Sequence, residues 1–203
     1  MTAFDDGQIH ELVERVIAQV TGQTRVSGPA EHPSIAAEAA VTTALESGEK
    51  MGDRKLVAVG ADHGGWELKE DLRGYIAELG FDVRDMGAYG KNPVDYPEFA
   101  HAVARLVSMG KAWRGIMIDG AGIGSCIVAN KVRGVRAGMA YDISTATNSR
   151  EHNDTNVLTL GAGLIGVSLA RQIVKIWLTT EFGGGRHAPR VEKIMAVEKE
   201  YLK

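Results

Sequence analysis

A glycine-rich loop is the most chemically suggestive stretch of this 203-residue chain. Asp119-Gly120-Ala121-Gly122-Ile123-Gly124 follows the apolar run Gly115-Ile116-Met117-Ile118. Its alternating glycines expose successive backbone N–H groups where a helix should begin, which makes an anion nest. Such a nest suits a phosphate, or the oxyanion of an enediolate. Asp119 stands at the strand edge, where a substrate would lie. The spacing Gly120, Gly122, Gly124 is not the G-x-G-x-x-G of dinucleotide binding, and that pattern would also need the loop after the first strand of its unit.

Other residues suited to chemistry are spread along the chain. Asp62 and His63 precede Gly64-Gly65, and a carboxylate beside an imidazole can share hydroxyl and proton-transfer work. Asp62 could equally do no more than cap the next helix. Asp95 and Tyr96 sit between Pro93 and Pro97, a rigid setting from which a tyrosine can reach a sugar hydroxyl; a plain capped turn is the blander reading. His152 and Asn153 lie in Arg150-Glu151-His152-Asn153-Asp154, and an imidazole titrates near neutrality. An isolated histidine is more often a surface group. Arg186, His187 and Arg190 surround a run of glycines, and two guanidinium groups can clamp a phosphate. Arginine at a helix start opposes the macrodipole, which favours an anionic ligand there. No ligand spacing for a metal is present, so none is expected.

These residues need elements to hold them. From Lys55 onward, apolar strands alternate with amphipathic helices. Strands are expected at 55–60, 81–86, 115–119, 135–140 and 157–160. Helices are expected at 66–79, 98–107, from Ser125 to Lys131, and at 143–150, 167–180 and 191–202. The alternation predicts a mostly parallel sheet covered on both faces, a doubly wound, Rossmann-like α/β sandwich. Ligands bind such sheets beyond the C-terminal strand ends, so site residues are expected to follow strands.

Composition narrows the class. The net charge of −3 and the absence of a Lys/Arg run argue against nucleic acid and anionic membrane as partners. No apolar stretch approaches the roughly 20 residues of a membrane-spanning helix. The single cysteine, Cys126, excludes an internal disulfide and fits a reducing, cytoplasmic setting. No secretory signal opens the chain.

Six ordered segments resemble the ribose-5-phosphate isomerase B and galactose-6-phosphate isomerase family. They are Val59-Gly-Ala-Asp-His-Gly-Gly65, Val94-Asp-Tyr-Pro97, the glycines of 120–124, Ala129-Asn-Lys-Val132, the run 150–158, and Gly184-Gly-Arg-His-x-x-Arg-Val191. The resemblance covers about 55–203. It implies a three-layer sandwich with a five-stranded parallel sheet, a homodimer or dimer of dimers, and a site near the subunit interface. It implies aldose–ketose isomerisation of a sugar phosphate through an enediolate, with no cofactor or metal. Carried over, Asp62 and His63 bind or open the sugar ring, and His152 acts in ring opening with Asn153 beside it. Gly120 to Gly124, with Ala121 and Ile123 between, hold the enediolate oxygens; Arg186 and Arg190 hold the phosphate. The Asp62-His63 and Arg-His-x-x-Arg pieces follow the ribose branch, which makes ribose 5-phosphate the expected substrate, ahead of a hexose 6-phosphate.

Three departures stand out. Many members have cysteine where this chain has Asp119, with its thiolate as the base. Thr is common at Ala121, and Arg at Gly163. Cys126 lies inside the following helix and does not replace the thiol. Asp119 becomes the expected base, and a noncatalytic sugar-phosphate binder becomes the rival reading.

Residues 1–54 form a separate helical extension and linker. Ile9, Leu12, Val13, Val16, Ile17 and Val20 make one apolar stripe, followed by Gly/Pro punctuation and an Ala-rich helix over 34–45. The stripe over 5–21 resembles an encapsulation peptide that docks enzymes on a bacterial microcompartment shell or another cargo protein. Packing on its own domain, or extending the dimer interface, is the alternative.

Overall fold

The computed structural model describes residues 55–202 and Thr42. The expectations for 5–21 and the linker lie outside the described residues, as does all but Thr42 of the expected helix over 34–45.

Five parallel strands carry the fold: β1 (Leu56–Ala61), β2 (Asp82–Asp85), β3 (Arg114–Asp119), β4 (Ala137–Met139) and β5 (Val157–Gly161), in the order β2-β1-β3-β5-β4. The three central strands, β1, β3 and β5, are buried along their whole length. That is why they read as continuous apolar runs, while the edge strands β2 and β4 are only partly buried. The helices are α1 (Trp66–Glu78), α2 (Tyr96–Ser108), α3 (Ile123–Ala129), α4 (Ile143–Glu151), α5 (Val167–Thr179) and α6 (Ala188–Tyr201), with a 3-10 turn at Gly185–His187.

Side chains alternate across the sheet. Val57, Val59, Ile116, Ile118, Leu158 and Leu160 pack with Leu72 and Ile76 of α1, Ala146 of α4, and Ile173 and Trp177 of α5. Ala58 meets Val103 and Leu106 of α2, and Met117 meets Phe99 on the same side. The result is helix, sheet, helix: the expected three-layer sandwich. Strand order reverses between β1 and β3, so the crevice of a doubly wound sheet falls between Asp62 and the loop after Asp119.

Element ends differ from the sequence reading at defined places. Helix α2 starts at Tyr96 and α6 at Ala188, because Pro97 and Pro189 sit in first turns, where a missing N–H costs nothing. The glycine loop enters α3 at Ile123, through Gly122 with its left-handed φ of 79°.

The opposite edge of the sheet is anchored by Arg114. Its buried guanidinium donates to the carbonyls of Trp177 at 2.6 Å, Leu178 at 3.1 Å and Thr180 at 3.4 Å. It thus satisfies carbonyls that the end of α5 leaves open. Burial, then the neighbouring Arg150, lower the Arg114 pKa to about 10, so it remains a cation at neutrality. This clasp fixes where the segment 180–190 leaves α5.

Candidate active site

The C-terminal edge of the sheet gathers the first group of site residues. Asp62, just past β1, is 8% exposed, and its Oδ1 accepts the Gly65 N–H at 2.8 Å. This turn contact shows the capping use of the side chain; Oδ2 has no hydrogen-bond partner among the described residues. Nδ1 of His63 meets the backbone of Val94, 3.0 Å from its oxygen and 3.2 Å from its nitrogen. His63 therefore joins the loop after β1 to the loop that carries Tyr96. The Tyr96 ring lies over the glycine loop so closely that a Cβ on Gly124 would stand 2.5 Å from it. Here glycine is required by a neighbour, which the sequence pattern alone did not reveal.

Asp119 is 4% exposed, and its carboxylate turns into its own loop. Oδ1 accepts the N–H of Ala121 at 2.8 Å and that of Gly122. Oδ2 accepts the Ser125 N–H at 3.1 Å and the Ser125 hydroxyl. The loop is held from the β5 side as well, where Ala162 N–H donates to Asp119 O at 2.8 Å and Gly163 N–H to Gly120 O at 3.0 Å. A Cβ on Gly161 would fall 2.7 Å from the Ala121 carbonyl, so only glycine lets the two loops close. Behind them, burial pushes the Cys126 thiol above its ordinary pKa, and the Asp119 charge pushes the same way, against the hydrogen bond from Asn130.

The second group lies at the other edge. His152 caps the C-terminus of α4, and its ring stacks on His187 with centroids 3.9 Å apart and planes 9° apart. Nδ2 of Asn148, one turn earlier, stands 2.9 Å from His152 Nδ1. With the amide donating, Nδ1 accepts and the ring proton sits on Nε2. Asn153 reaches the Asn148 carbonyl at 3.5 Å. The Gly183 N–H donates to Glu151 O at 3.0 Å, which draws the last loop onto the end of α4. Gly184 and Gly185 then turn with φ of 57° and 51°, setting down Arg186, His187 and Arg190, both arginines exposed. Desolvation first, then the charges of His152, Arg186 and Arg190, hold His187 below its usual 6.5, against Glu151.

Asp154 locks this turn. It adopts φ 47°, and its carboxylate bridges Arg150 at 2.8 Å and Arg136 at 2.9 Å. Sequence reasoning missed the structural parts played by Asp154, Asn148 and Ser125. The first two sit four residues from Arg150 and His152, a helical spacing that could have flagged them.

The expectation that all site residues follow strands needs correction. Asp62, His63, Tyr96 and Asp119–Gly124 cluster where β1, β2 and β3 end. His152, Asn153, Arg186, His187 and Arg190 follow α4 and α5, which run back down, so they lie where β3, β4 and β5 begin. A strand of six residues separates those edges by roughly 17–20 Å. Within one chain the anion clamp does not reach the glycine loop. Among the described residues no group of three His, Cys, Asp or Glu side chains is placed to hold a metal ion, and no helix is long and apolar enough to cross a membrane.

The fold is that of the aldose–ketose isomerases of sugar phosphates. The family Ribose/Galactose Isomerase matches residues 57–194, and the chain belongs to it. Ribose-5-phosphate isomerase B of Escherichia coli is 43% identical over 145 residues, 71% of this chain and 97% of that protein. D-erythrulose-4-phosphate isomerase of Pectobacterium atrosepticum is 44% identical over 140 residues, 68% of this chain and 91% of its own length. The solved structure of Clostridium thermocellum ribose-5-phosphate isomerase B superposes with a TM-score of 0.71 at 46% identity, covering 72% of this chain and 99% of that one.

Proposed function

We propose that the chain interconverts ribose 5-phosphate and ribulose 5-phosphate, in a site completed by a second copy of the chain. One observation carries this reading: the two groups of site residues are chemically complementary yet sit at opposite edges of one sheet. The C-terminal edge offers carboxylates, a tyrosine and a glycine loop for the reacting carbons. The opposite edge offers Arg186, His187 and Arg190 for the phosphate, and His152 with Asn153 for ring opening. A homodimer that sets one edge against the partner's other edge makes two whole sites. Exposed apolar side chains suit such an interface: Ile123 and Ile127 on α3, Tyr141 and Ile143 before and on α4, and Ile194 and Val197 on α6. The name of the clostridial neighbour supports the pentose.

The test is turnover. Ribose 5-phosphate should yield ribulose 5-phosphate faster than tetrose or hexose phosphates react. Faster turnover of erythrulose 4-phosphate or a hexose 6-phosphate would reassign the substrate. No turnover across the panel would leave the noncatalytic binder, a reading favoured only by the engagement of Asp119 within its own loop. Light scattering should report twice the chain mass or more.

Residues 1–54 stand as a separate extension in this reading, since the family match begins at Val57. The apolar stripe over 5–21 is the proposed address for a microcompartment shell or a cargo partner. Residues 1–25 fused to a fluorescent protein should collect on shells; a diffuse signal would reject the address.

A further inference from the structure

Asp119 raises a question of lone pairs. An ionised carboxylate offers about four acceptor sites. Here Ala121 N–H, Gly122 N–H, Ser125 N–H and the Ser125 hydroxyl take them. Ser125 is fully buried, so this end of the arrangement is closed to a ligand. The side chain occupies the nest that its own loop builds, in the place an outside anion would take. A group so engaged has no lone pair left for a carbon-bound proton.

A second carboxylate stands next to it. Asp62 follows β1, and its backbone N–H donates to Ile118 O of β3 at 3.1 Å, so the two aspartates end neighbouring strands. Among the described residues, only Oδ1 of Asp62 is engaged, by Gly65. We propose that Asp119 is a positioning residue, an internal anion that shapes the loop, and that Asp62 moves the proton. This rests on the isomerase reading above. The step balances without any co-reactant. Asp62 accepts the proton from C2 of the open-chain aldose, and the electron pair of that bond forms the C1–C2 double bond as charge moves onto O1. The proton returns at C1, while the hydroxyl proton passes from O2 to O1, giving the ketose. The titratable groups around the pair are His63, beside Asp62, Tyr96, whose ring lies over Gly124, and Cys126 on α3.

The experiment compares wild type, Asp62→Asn and Asp119→Asn with ribose 5-phosphate across pH. Asp62→Asn should lose on the order of 10²–10⁴ in kcat, and should stop incorporation of solvent deuterium at the reacting carbons. Asp119→Asn sets an amide N–H₂ against the donors of the loop. It should raise KM, lower kcat by only about tenfold, lower Tm by roughly 5 °C and keep the acidic limb of the pH–rate profile. Loss of that limb in Asp119→Asn with an unchanged Tm would make Asp119 the base and overturn the proposal. So would deuterium incorporation that persists in Asp62→Asn.

One arm does not depend on turnover. In the ligand-free protein the Ala121 and Gly122 amides should exchange with deuterium slowly, and faster in Asp119→Asn. Equal rates in the two proteins would remove the positioning role even if no sugar phosphate is turned over. If Asp119→Asn does not fold, Ser125→Ala, which deletes one of the four donors, should speed the same exchange and keep turnover within about tenfold; unchanged exchange would again count against it.

Discussion

The two edges of the sheet are built on different plans. At the C-terminal edge, polar side chains are held mainly by backbone: the buried Asp119 by its loop and Ser125, the buried Asp62 by Gly65, and the exposed His63 by Val94. At the opposite edge, side chains hold side chains: His152 with Asn148 and His187, Asp154 between two arginines. The first plan gives fixed positions for bond-making. The second leaves cationic groups projecting outward, which suits the proposed capture of a phosphate. The difference teaches that a strand end and a helix end supply different things, rigidity in one case and presentation in the other.

The contrast can be broken by mutation. The largest expected effect is His152→Asn, which removes the candidate ring-opening group and should cut kcat on ribose 5-phosphate by about 10²–10⁴. Activity on a chemically opened substrate analogue should suffer far less, and equal losses on both would deny His152 that role. Next comes the pair Arg186→Ala with Arg190→Ala. Two charge-assisted contacts are lost, so kcat/KM should fall about 100-fold or more, mainly through KM, with little change in Tm, since both side chains are exposed. A loss confined to kcat would show that the clamp acts at the reaction centre.

Asn148→Ala is a finer probe of the second plan. The His152 ring would lose the donor at Nδ1, and kcat should fall roughly tenfold. Its ¹⁵N spectrum should show the proton spreading from Nε2 to both nitrogens; an unchanged tautomer would mean that the stack on His187 alone orients the ring. The smallest effect is on stability against pH. The folded pKa of His187 lies below 6.5, so the unfolded chain binds more protons as the pH drops through that region. Stability from this group is present above 6.5 and is lost as pH falls through the lower folded value. His187→Phe should flatten that part of the curve, readable by urea unfolding at several pH values.

Much of the fold was legible because buried strands and amphipathic helices repeat with distinct periods. All five strands and the helix order could be placed from Lys55 onward. The edge strand β4 came out shorter, at Ala137–Met139, because a partly covered strand carries a weaker apolar signal. Lys69 was hidden for a different reason. It occupies a fully buried position of α1 among Leu68, Leu72 and Ile76, compensated by Asp85 at 2.6 Å, a contact set by the sheet and not by spacing. The residue types of the site were legible from their motifs. Their distribution between two edges was not, since it depends on whether a motif follows a strand or a helix that has already run back. Nor could sequence show that the donors of the glycine loop answer to the aspartate in front of it.

The separation of the two edges has a consequence in mass action. If each working site takes its glycine loop from one copy and its arginines from the next, a solitary chain holds two halves and no whole. Activity per chain would then depend on how often copies meet. On dilution below the dissociation constant of the pair, the specific rate should fall in proportion to protein concentration. At a fixed total, a chain lacking Arg186 and Arg190 mixed with one altered at Asp62 should regain turnover that neither shows alone, because one of the two sites in each mixed pair draws only on intact edges.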